Sequence, residues 1–294
     1  MTAATKPLRT RPLRPDDAVA ALALSSEAGW NQTVFDWHFM LAAGEAQGQL
    51  TTAGALVASA LILPYDDRIA WIAMVLTTQS HRRRGLATAN LRWAIDRCAG
   101  RGLVAGLDAT PAGREVYSPL GFTDLWGLRR LRAERPALPE PAHRHVIRPM
   151  RTDDLPAVAA LDADAFGAKR DALLAYLYGC RPGCAWIAHQ KGELAGFVLG
   201  RAGRTTLHIG PLIVRDPDIA TALVARALAQ ENASQEMPVS PVSIDVPDGQ
   251  ELFRQRLLEA GFVPLRPFTR MLRGNNGAPG GAELTFAIAG PELG

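Results

Sequence analysis

Met74-Val75-Leu76-Thr77-Thr78-Gln79-Ser80-His81-Arg82-Arg83-Arg84-Gly85-Leu86-Ala87-Thr88 joins two kinds of sequence, and its reading decides the fold. The apolar run Trp71 to Leu76 has the composition of a buried strand. Beyond the polar turn, apolar positions at Leu86, Leu91, Ala94 and Ile95 follow helical spacing. The junction carries Arg82-x-x-Gly85-x-Ala87. A helix N-terminus leaves backbone N–H groups without intrahelical partners, and its dipole favours negative charge there. Small residues at Gly85 and Ala87 let an anion approach the backbone, and the flanking arginines supply charge-assisted donors. On these residues alone two readings stay open: a pyrophosphate-binding turn, or an ordinary basic helix start after a buried strand.

Downstream, the helix is expected to end near Gly100 or Gly102, with Leu103 to Leu107 as a buried strand. Asp108 to Arg114 reads as a turn into a short helix carrying Tyr117, and the glycine of Leu120-Gly121-Phe122 suits a left-handed stop. A closing strand lies within Thr123 to Arg132. Upstream, Thr10 to Asp17 reads as a short strand and turn, with Asp16 or Asp17 capping a helix over Ala18 to Ser26. Strands are expected at Gly48 to Thr52, Gly54 to Leu63 and Ile69 to Leu76, with a turn over Pro64 to Asp67. Between helix and strands, Glu27 to Phe39 gathers Trp30, Asn31, Phe35, Trp37 and His38 in a chain with only 6% aromatics. Large aromatics beside hydrogen-bonding groups suit a ligand wall, and equally a helix docked on a sheet.

The chain then repeats itself. Arg148-Pro149-Met150-Arg151-Thr152-Asp153-Asp154 matches Arg11-Pro12-Leu13-Arg14-Pro15-Asp16-Asp17, and Gly261-Phe262 matches Gly121-Phe122, at offsets of 137 and 140. The arginine-rich strands Leu128 to Arg132 and Phe268 to Leu272 keep the second offset. Two copies of one fold are expected. The second copy departs at the counterpart of the opening stretch, His208 to Ala220. There Arg-x-x-Gly-x-Ala is gone, and Asp216 and Asp218 place negative charge where a diphosphate would sit. It also offers Phe253 rather than a tyrosine before Gly261-Phe262. The tail begins as a glycine-rich loop after Gly274 and ends in a strand-like run, Leu284 to Ala289.

The 294 residues suit two domains, and 48% hydrophobic with 21% charged residues is a globular composition. Net charge is +3, lysine occurs only at Lys6, Lys169 and Lys191, and no basic tail interleaved with aromatics supports nucleic-acid binding. Cys98, Cys180 and Cys184 lack zinc-ligand spacing, so no metal is expected. Neither a signal peptide nor an apolar run of the ~18 residues needed to span a bilayer is visible. A cytoplasmic protein with no membrane partner is expected.

Strand, Arg82-x-x-Gly85-x-Ala87, helix, strand, then Tyr117-Ser118-Pro119-Leu120-Gly121-Phe122: this order resembles the GNAT superfamily of acyl-CoA-dependent N-acetyltransferases. The repeat extends the resemblance to a tandem-GNAT chain with a degenerate second copy. It implies an α/β fold of two domains, each a mixed, mostly antiparallel sheet flanked by helices, over 1–134 and 145–294, with a proline-rich linker at 135–144. It also implies acetyl-CoA as acyl donor, its pantetheine arm lying where two central strands splay apart. By that resemblance Val75, Leu76 and Thr77 pair with the arm, while Arg82, Arg83, Arg84, Gly85, Leu86, Ala87 and Thr88 present N–H groups to the pyrophosphate. Tyr117 gives its proton to the departing thiolate. Thr110 stands where many members have asparagine and, still able to donate a hydrogen bond, is placed among the cofactor-binding residues; the central strand lacks the glutamate that some relatives use as base. Glu27, Asp36, His38 and Asp108 are the candidate bases, Asp108 first, with a water relay or a plain turn-capping role for Asp108 as alternatives. Trp30, Asn31 and Trp37 are placed as acceptor lining, with Asp162, Asp164, Phe166 or His208 of the second copy as closing groups. The expected activity is acetyl transfer to a primary amine of a small molecule. An acyl-CoA sensor without turnover and a protein-directed acetyltransferase are the competing readings.

Overall fold

The computed structural model describes residues 7–139, 146–233, 241–274 and 280–294. Linker positions 140–144 and positions 275–279 of the glycine-rich stretch lie outside them. The chain divides into two compact units, Met1–Leu107 and Asp108–Gly294.

In the first unit, β1 (Arg9–Leu13), β2 (Glu45–Leu50), β3 (Leu56–Tyr65) and β4 (Ile69–Thr77) pair antiparallel in that order, and β5 (Val104–Ala109) joins β4 in parallel. Helices α1 (Ala18–Glu27) and α2 (Val34–Ala43) follow β1, and α3 (Leu86–Gly100) links β4 to β5. Of the helical positions read at Leu86, Leu91, Ala94 and Ile95, the last three lie with Cys98 on the buried face of α3, packed on β3 and β4, while Leu86 is half-buried. Trp37, Met40, Leu61, Leu63, Trp71 and Met74 fill the core, all under 2% exposed.

Two expected boundaries shift. The strand placed at Gly48 to Thr52 is Glu45–Leu50, because Thr51 closes a turn, its carbonyl accepting from Gly54 N at 2.9 Å and its hydroxyl from Ala55 N at 3.1 Å. Pro64 and Tyr65 belong to β3, paired with Ala70 and Ile69, so the turn there shrinks to the residues around Asp66.

The repeated Arg-Pro-x-Arg-x-Asp-Asp motif is one device built twice. Arg11 grips both oxygens of Asp17 at 2.8 and 2.7 Å, and Asp17 accepts from Arg14 N at 2.8 Å. Arg148, Asp154 and Arg151 make the same three bonds, each 2.7 Å. The acid therefore caps the turn before the helix and leaves the helix itself without a side-chain cap. The arginine bond lowers the carboxyl pKa of Asp17 and of Asp154.

The second unit repeats the element order with β7 (Val146–Pro149), α5 (Leu155–Phe166), α6 (Asp171–Cys180), β8 (Trp186–Gln190), β9 (Glu193–Ala202), β10 (Leu207–Val214), α7 (Pro217–Ala233), β11 (Val242–Pro247), α8 (Glu251–Glu259) and β12 (Val263–Arg273). It also contains α4 (Pro111–Tyr117) and β6 (Thr123–Ala133), which close the first sequence copy. β6 lies between β11 and β12, antiparallel to both. Leu131 and Ala133 of β6 sit in the same core as Ile244, Val246, Phe253 and Leu257. The packing units thus part within β5, upstream of the proline-rich stretch. The strand-like run read at Leu284 to Ala289 contributes β13 (Thr285–Ala287), antiparallel to β10.

Candidate active site

The opening stretch divides as its composition suggests: β4 ends at Thr77, a tight turn spans Gln79–His81, and α3 begins at Leu86. Glu27, at the end of α1, fixes this turn. Its carboxylate accepts from Thr78 Oγ1 at 2.6 Å and from Gln79 N at 2.7 Å. The Thr78 hydroxyl bond, then the Gln79 N–H and the charge of Arg82, hold its pKa below the ordinary value. A carboxylate so committed is a structural clamp and a weak proton acceptor.

Arg83 and Gly85 adopt positive φ, +60° and +75°. Gly85 is the residue before the helix, where a side chain would strain the left-handed backbone by roughly 1–2 kcal/mol. Its chain neighbours aside, no atom of the described residues lies within 4 Å of the place its Cβ would take. The turn is therefore open, with the N–H groups of Leu86, Ala87 and Thr88 at the helix start, where no intrahelical acceptor exists. Arg82, Arg83 and Arg84 are exposed.

On β4, Met74 takes φ +53° and its carbonyl accepts from the buried Ser59 Oγ at 2.8 Å. The β3–β4 register shifts nearby, between Ser59 and Leu61. On the other edge of β4, the ladder to β5 covers only Ile69↔Val104, Ala70↔Ala105 and Trp71↔Gly106. β4 runs on past it, through Val75, Leu76 and Thr77. Among the described residues, the buried Thr77 Oγ1 has no hydrogen-bond partner. An open strand edge, an unsatisfied hydroxyl and an open glycine turn fit an extended amide-bearing arm ending in a diphosphate.

The acceptor-lining candidates sit differently. Trp37 is fully buried and its indole N–H donates to Ser25 Oγ at 2.9 Å, so it packs α2 on α1. Asp36 accepts from Thr33 N at 2.6 Å and from Thr33 Oγ1 at 2.9 Å, an N-terminal capping box for α2. Trp30 is half-buried, Asn31 is buried, and His38 is exposed on α2.

In the second unit, Thr110 Oγ1 accepts from Gly113 N at 3.1 Å and caps α4, which carries Tyr117. Tyr117 is half-buried beside Phe122, ring centroids 6.1 Å apart, and burial pushes its phenol pKa up. Gly121, at φ +88°, turns the chain so that Phe122 N reaches Tyr117 O at 3.4 Å. Gly261, at φ +95°, makes the same turn, with Phe262 N on Leu257 O at 3.0 Å. Leu257, not Phe253, therefore stands in the tyrosine's place. Phe253 lies one turn earlier, edge-on to Phe286 at 5.6 Å.

Asp108 is completely buried, and Arg270 donates to both its oxygens at 2.9 and 2.8 Å. Burial raises the Asp108 pKa, and the charge of Arg270 opposes the rise. Arg270 was not singled out from sequence, although the arginines at matching places on the closing strands, Arg130 and Arg270, were visible. Among the second-copy closing candidates, Asp162 is committed to Arg170 at 2.9 and 2.7 Å, and His208 is buried with Nε2 on Ile288 O at 3.3 Å. Among the described residues, no group of three or more His, Cys, Asp or Glu could hold a metal, and no helix is long and apolar enough to cross a membrane.

A mostly antiparallel sheet flanked by helices, with a basic, glycine-opened strand-to-helix turn, defines an acyltransferase fold, and comparison with known proteins gives the family. Residues 17–122 match the model "Acetyltransferase (GNAT) family", and residues 158–287 match "Acetyltransferase (GNAT) domain". The chain belongs to the GNAT N-acetyltransferases, in their tandem form. Among solved structures it is similar to a putative acetyltransferase from Pyrococcus horikoshii, with TM-score 0.76, 19% identity, and 100% of this chain and 98% of that one covered. A GCN5-related N-acetyltransferase from Sphaerobacter thermophilus gives 0.67, 18%, 94% and 100%. A tandem GNAT protein from the clavulanic acid biosynthesis pathway gives 0.64, 15%, 92% and 100%. No curated protein matches the chain.

Proposed function

We propose that the chain transfers an acetyl group from acetyl-CoA to a primary amine of a small molecule, by direct attack while both substrates are bound to the first copy. The open turn at Gly85, with the basic run Arg82–Arg84 before it and the start of α3 after it, carries this reading. Backbone N–H groups of Arg83 to Thr88 hold the diphosphate, Arg82 having given its own N–H to Gln79 O at 3.3 Å, and the edge Val75–Thr77 pairs with the amides of the pantetheine arm once Arg82 Nε leaves the Thr77 carbonyl. The amine nitrogen attacks the thioester carbonyl, the C–S bond breaks, and the Tyr117 hydroxyl protonates the leaving thiolate. Its raised pKa keeps that proton in place through the neutral range.

The attacking amine must also lose a proton. We assign this role to Asp108: burial raises its pKa above the ordinary carboxylate value, against the charge of Arg270, and so makes it the better proton acceptor. Each of its oxygens keeps a lone pair beyond the Arg270 bond. Its side chain is fully enclosed, so in this reading a water relays the amine's proton to it. Trp30 and Asn31 flank the acceptor, while Trp37 supports them from the core.

Release of CoA thiol from acetyl-CoA tests this against a panel of amines. Amine-dependent release that is lost in Tyr117→Phe supports the reading. Binding of acetyl-CoA without release for any amine favours a sensor, and release with peptide amines alone favours a protein acceptor.

A further inference from the structure

The two copies stop their central parallel ladder at the same residue. In the first, Ile69, Ala70 and Trp71 lie opposite Val104, Ala105 and Gly106; in the second, Leu207, His208 and Ile209 lie opposite Val242, Ser243 and Ile244. Past that point no described strand pairs with that edge of β4 in the first copy, where Arg82 Nε reaches the Thr77 carbonyl at 3.4 Å, whereas the second copy fills the gap with its own C-terminal segment. β13 pairs with β10 at Leu212↔Ala287 and Ile213↔Thr285, and Ile288 N donates to Asp245 O of β11 at 3.1 Å. One extended segment thereby binds both walls. Leu212 and Ile213 stand three and four residues past the last ladder pair, the places Met74 and Val75 hold in the first copy.

The segment is enclosed: Phe286, Ala287, Ile288 and Ala289 are all under 5% exposed. Gly210 of β10 comes so close that a Cβ there would strike the Ile288 carbonyl oxygen. Beyond the strand, Arg201 pairs with Glu292, and Arg170 donates to the Gly294 carbonyl. The start of α7 is likewise taken by protein. The Asp216 carboxylate accepts from Asp218 N at 2.8 Å and its carbonyl from Ile219 N at 3.1 Å, where the first copy offers its open turn. Asp216 therefore satisfies, from within the chain, donors of the kind that would hold a phosphate.

We propose that Thr285–Ala289 is a built-in occupant of the second copy's acyl-carrier groove, standing in for a pantetheine arm and closing that copy to acyl donors. The proposal rests on the first copy's open edge being the acetyl-CoA site. An extended arm with two secondary amides is the ligand class such a gap takes, since peptide N–H and C=O groups fill it here. The degenerate copy has thus been sealed by a strand as well as stripped of its phosphate turn.

The test compares the full chain with one ending at Gly274, using S-acetylpantetheine, which needs no phosphate turn, as probe in calorimetry. The truncated chain should bind one more equivalent of the probe than the full chain, and a synthetic peptide of residues 280–294 should abolish the extra site. Equal stoichiometry in the two chains, with circular dichroism showing the truncated one folded, overturns the proposal, as does failure of the peptide to compete. Should truncation unfold the chain, full-length Ile288→Pro, which removes the N–H given to Asp245 O, fixes the backbone there and takes the buried isoleucine side chain out of the gap, should tighten probe binding at least tenfold at the second copy. A folded Ile288→Pro protein without that gain overturns it as well. Acetyl-CoA binding at the first copy, read in the same titrations, reports separately: its absence alongside a gained probe site sinks the reading of the first copy and leaves the tail's role standing.

Discussion

Arg270 holds Asp108 across 162 residues of sequence, its Nε and Nη2 donating to the two carboxylate oxygens at 2.9 and 2.8 Å. Arg130 holds Asp245 in the same way at 2.8 and 2.6 Å. By the sequence repeat the two arginines correspond, and so do the two acids. Each acid is therefore held by the closing strand of the other copy, and β6 sits between β11 and β12.

Removing Arg270 would leave a buried carboxylate without its counter-charge. Arg270→Met is expected to cost about 3–5 kcal/mol of stability at neutral pH. Asp108 already has its folded pKa raised by burial, so its favourable contribution is complete at low pH and is lost as pH rises through that pKa. The deficit of the variant should accordingly shrink as pH falls, because Asp108 then takes up a proton. Denaturant titrations at two pH values, one acidic and one neutral, measure this; a deficit independent of pH contradicts it.

A fragment of residues 1–134 keeps β6 but loses both of its neighbours, β11 and β12. It is expected to be unfolded or aggregated where the full chain is folded. Dispersed amide resonances from the isolated fragment would show the exchange of closing strands to be dispensable.

His208 lies inside the second unit with its pKa lowered from 6.5 to about 4, chiefly by burial. A carbonyl can only accept, so Nε2 carries the proton toward Ile288 O and Nδ1 faces Ser243 Oγ at 3.5 Å. Since the folded pKa lies below the unfolded one, the unfolded chain binds the proton first on acidification. Stability should fall as pH drops from about 6.5 to about 4, by roughly 3 kcal/mol at most. His208→Gln should flatten that part of the profile, as read by thermal melts across the range.

Tyr117→Phe keeps the ring beside Phe122 and removes only the hydroxyl. Turnover is expected to drop by ~10²-fold or more with acetyl-CoA affinity nearly unchanged. Steady-state rates beside calorimetric affinity check this, and undiminished turnover removes Tyr117 from the proton-donating role.

What the sequence revealed was mostly local. The Arg11–Asp17 and Arg148–Asp154 devices close within six residues, and Gly121 and Gly261 turn the chain within five, so short motifs carried them. The α3 stripe was equally plain from Leu91, Ala94 and Ile95. The strand exchange was hidden because the two closing strands are alike, both arginine-rich, and nothing in either names its neighbour. For Trp37 the sequence leaves two roles open, because an indole beside polar residues suits a core hydrogen bond as well as a ligand; its bond is to Ser25 in the core. Asp36 has a local signature, since Thr33-x-x-Asp36 is a capping spacing. Three residues of β13 are too few to show which gap they fill.

Titration of acetyl-CoA into the full chain and into Gly85→Glu, followed by calorimetry, bears most directly on the first copy as the acyl-donor site. The wild-type chain should saturate at one acetyl-CoA, and Gly85→Glu, which strains the left-handed backbone and puts a negative charge into the open turn, should bind none. Two tight sites in the wild type, or unchanged affinity in a folded Gly85→Glu protein, would contradict the account.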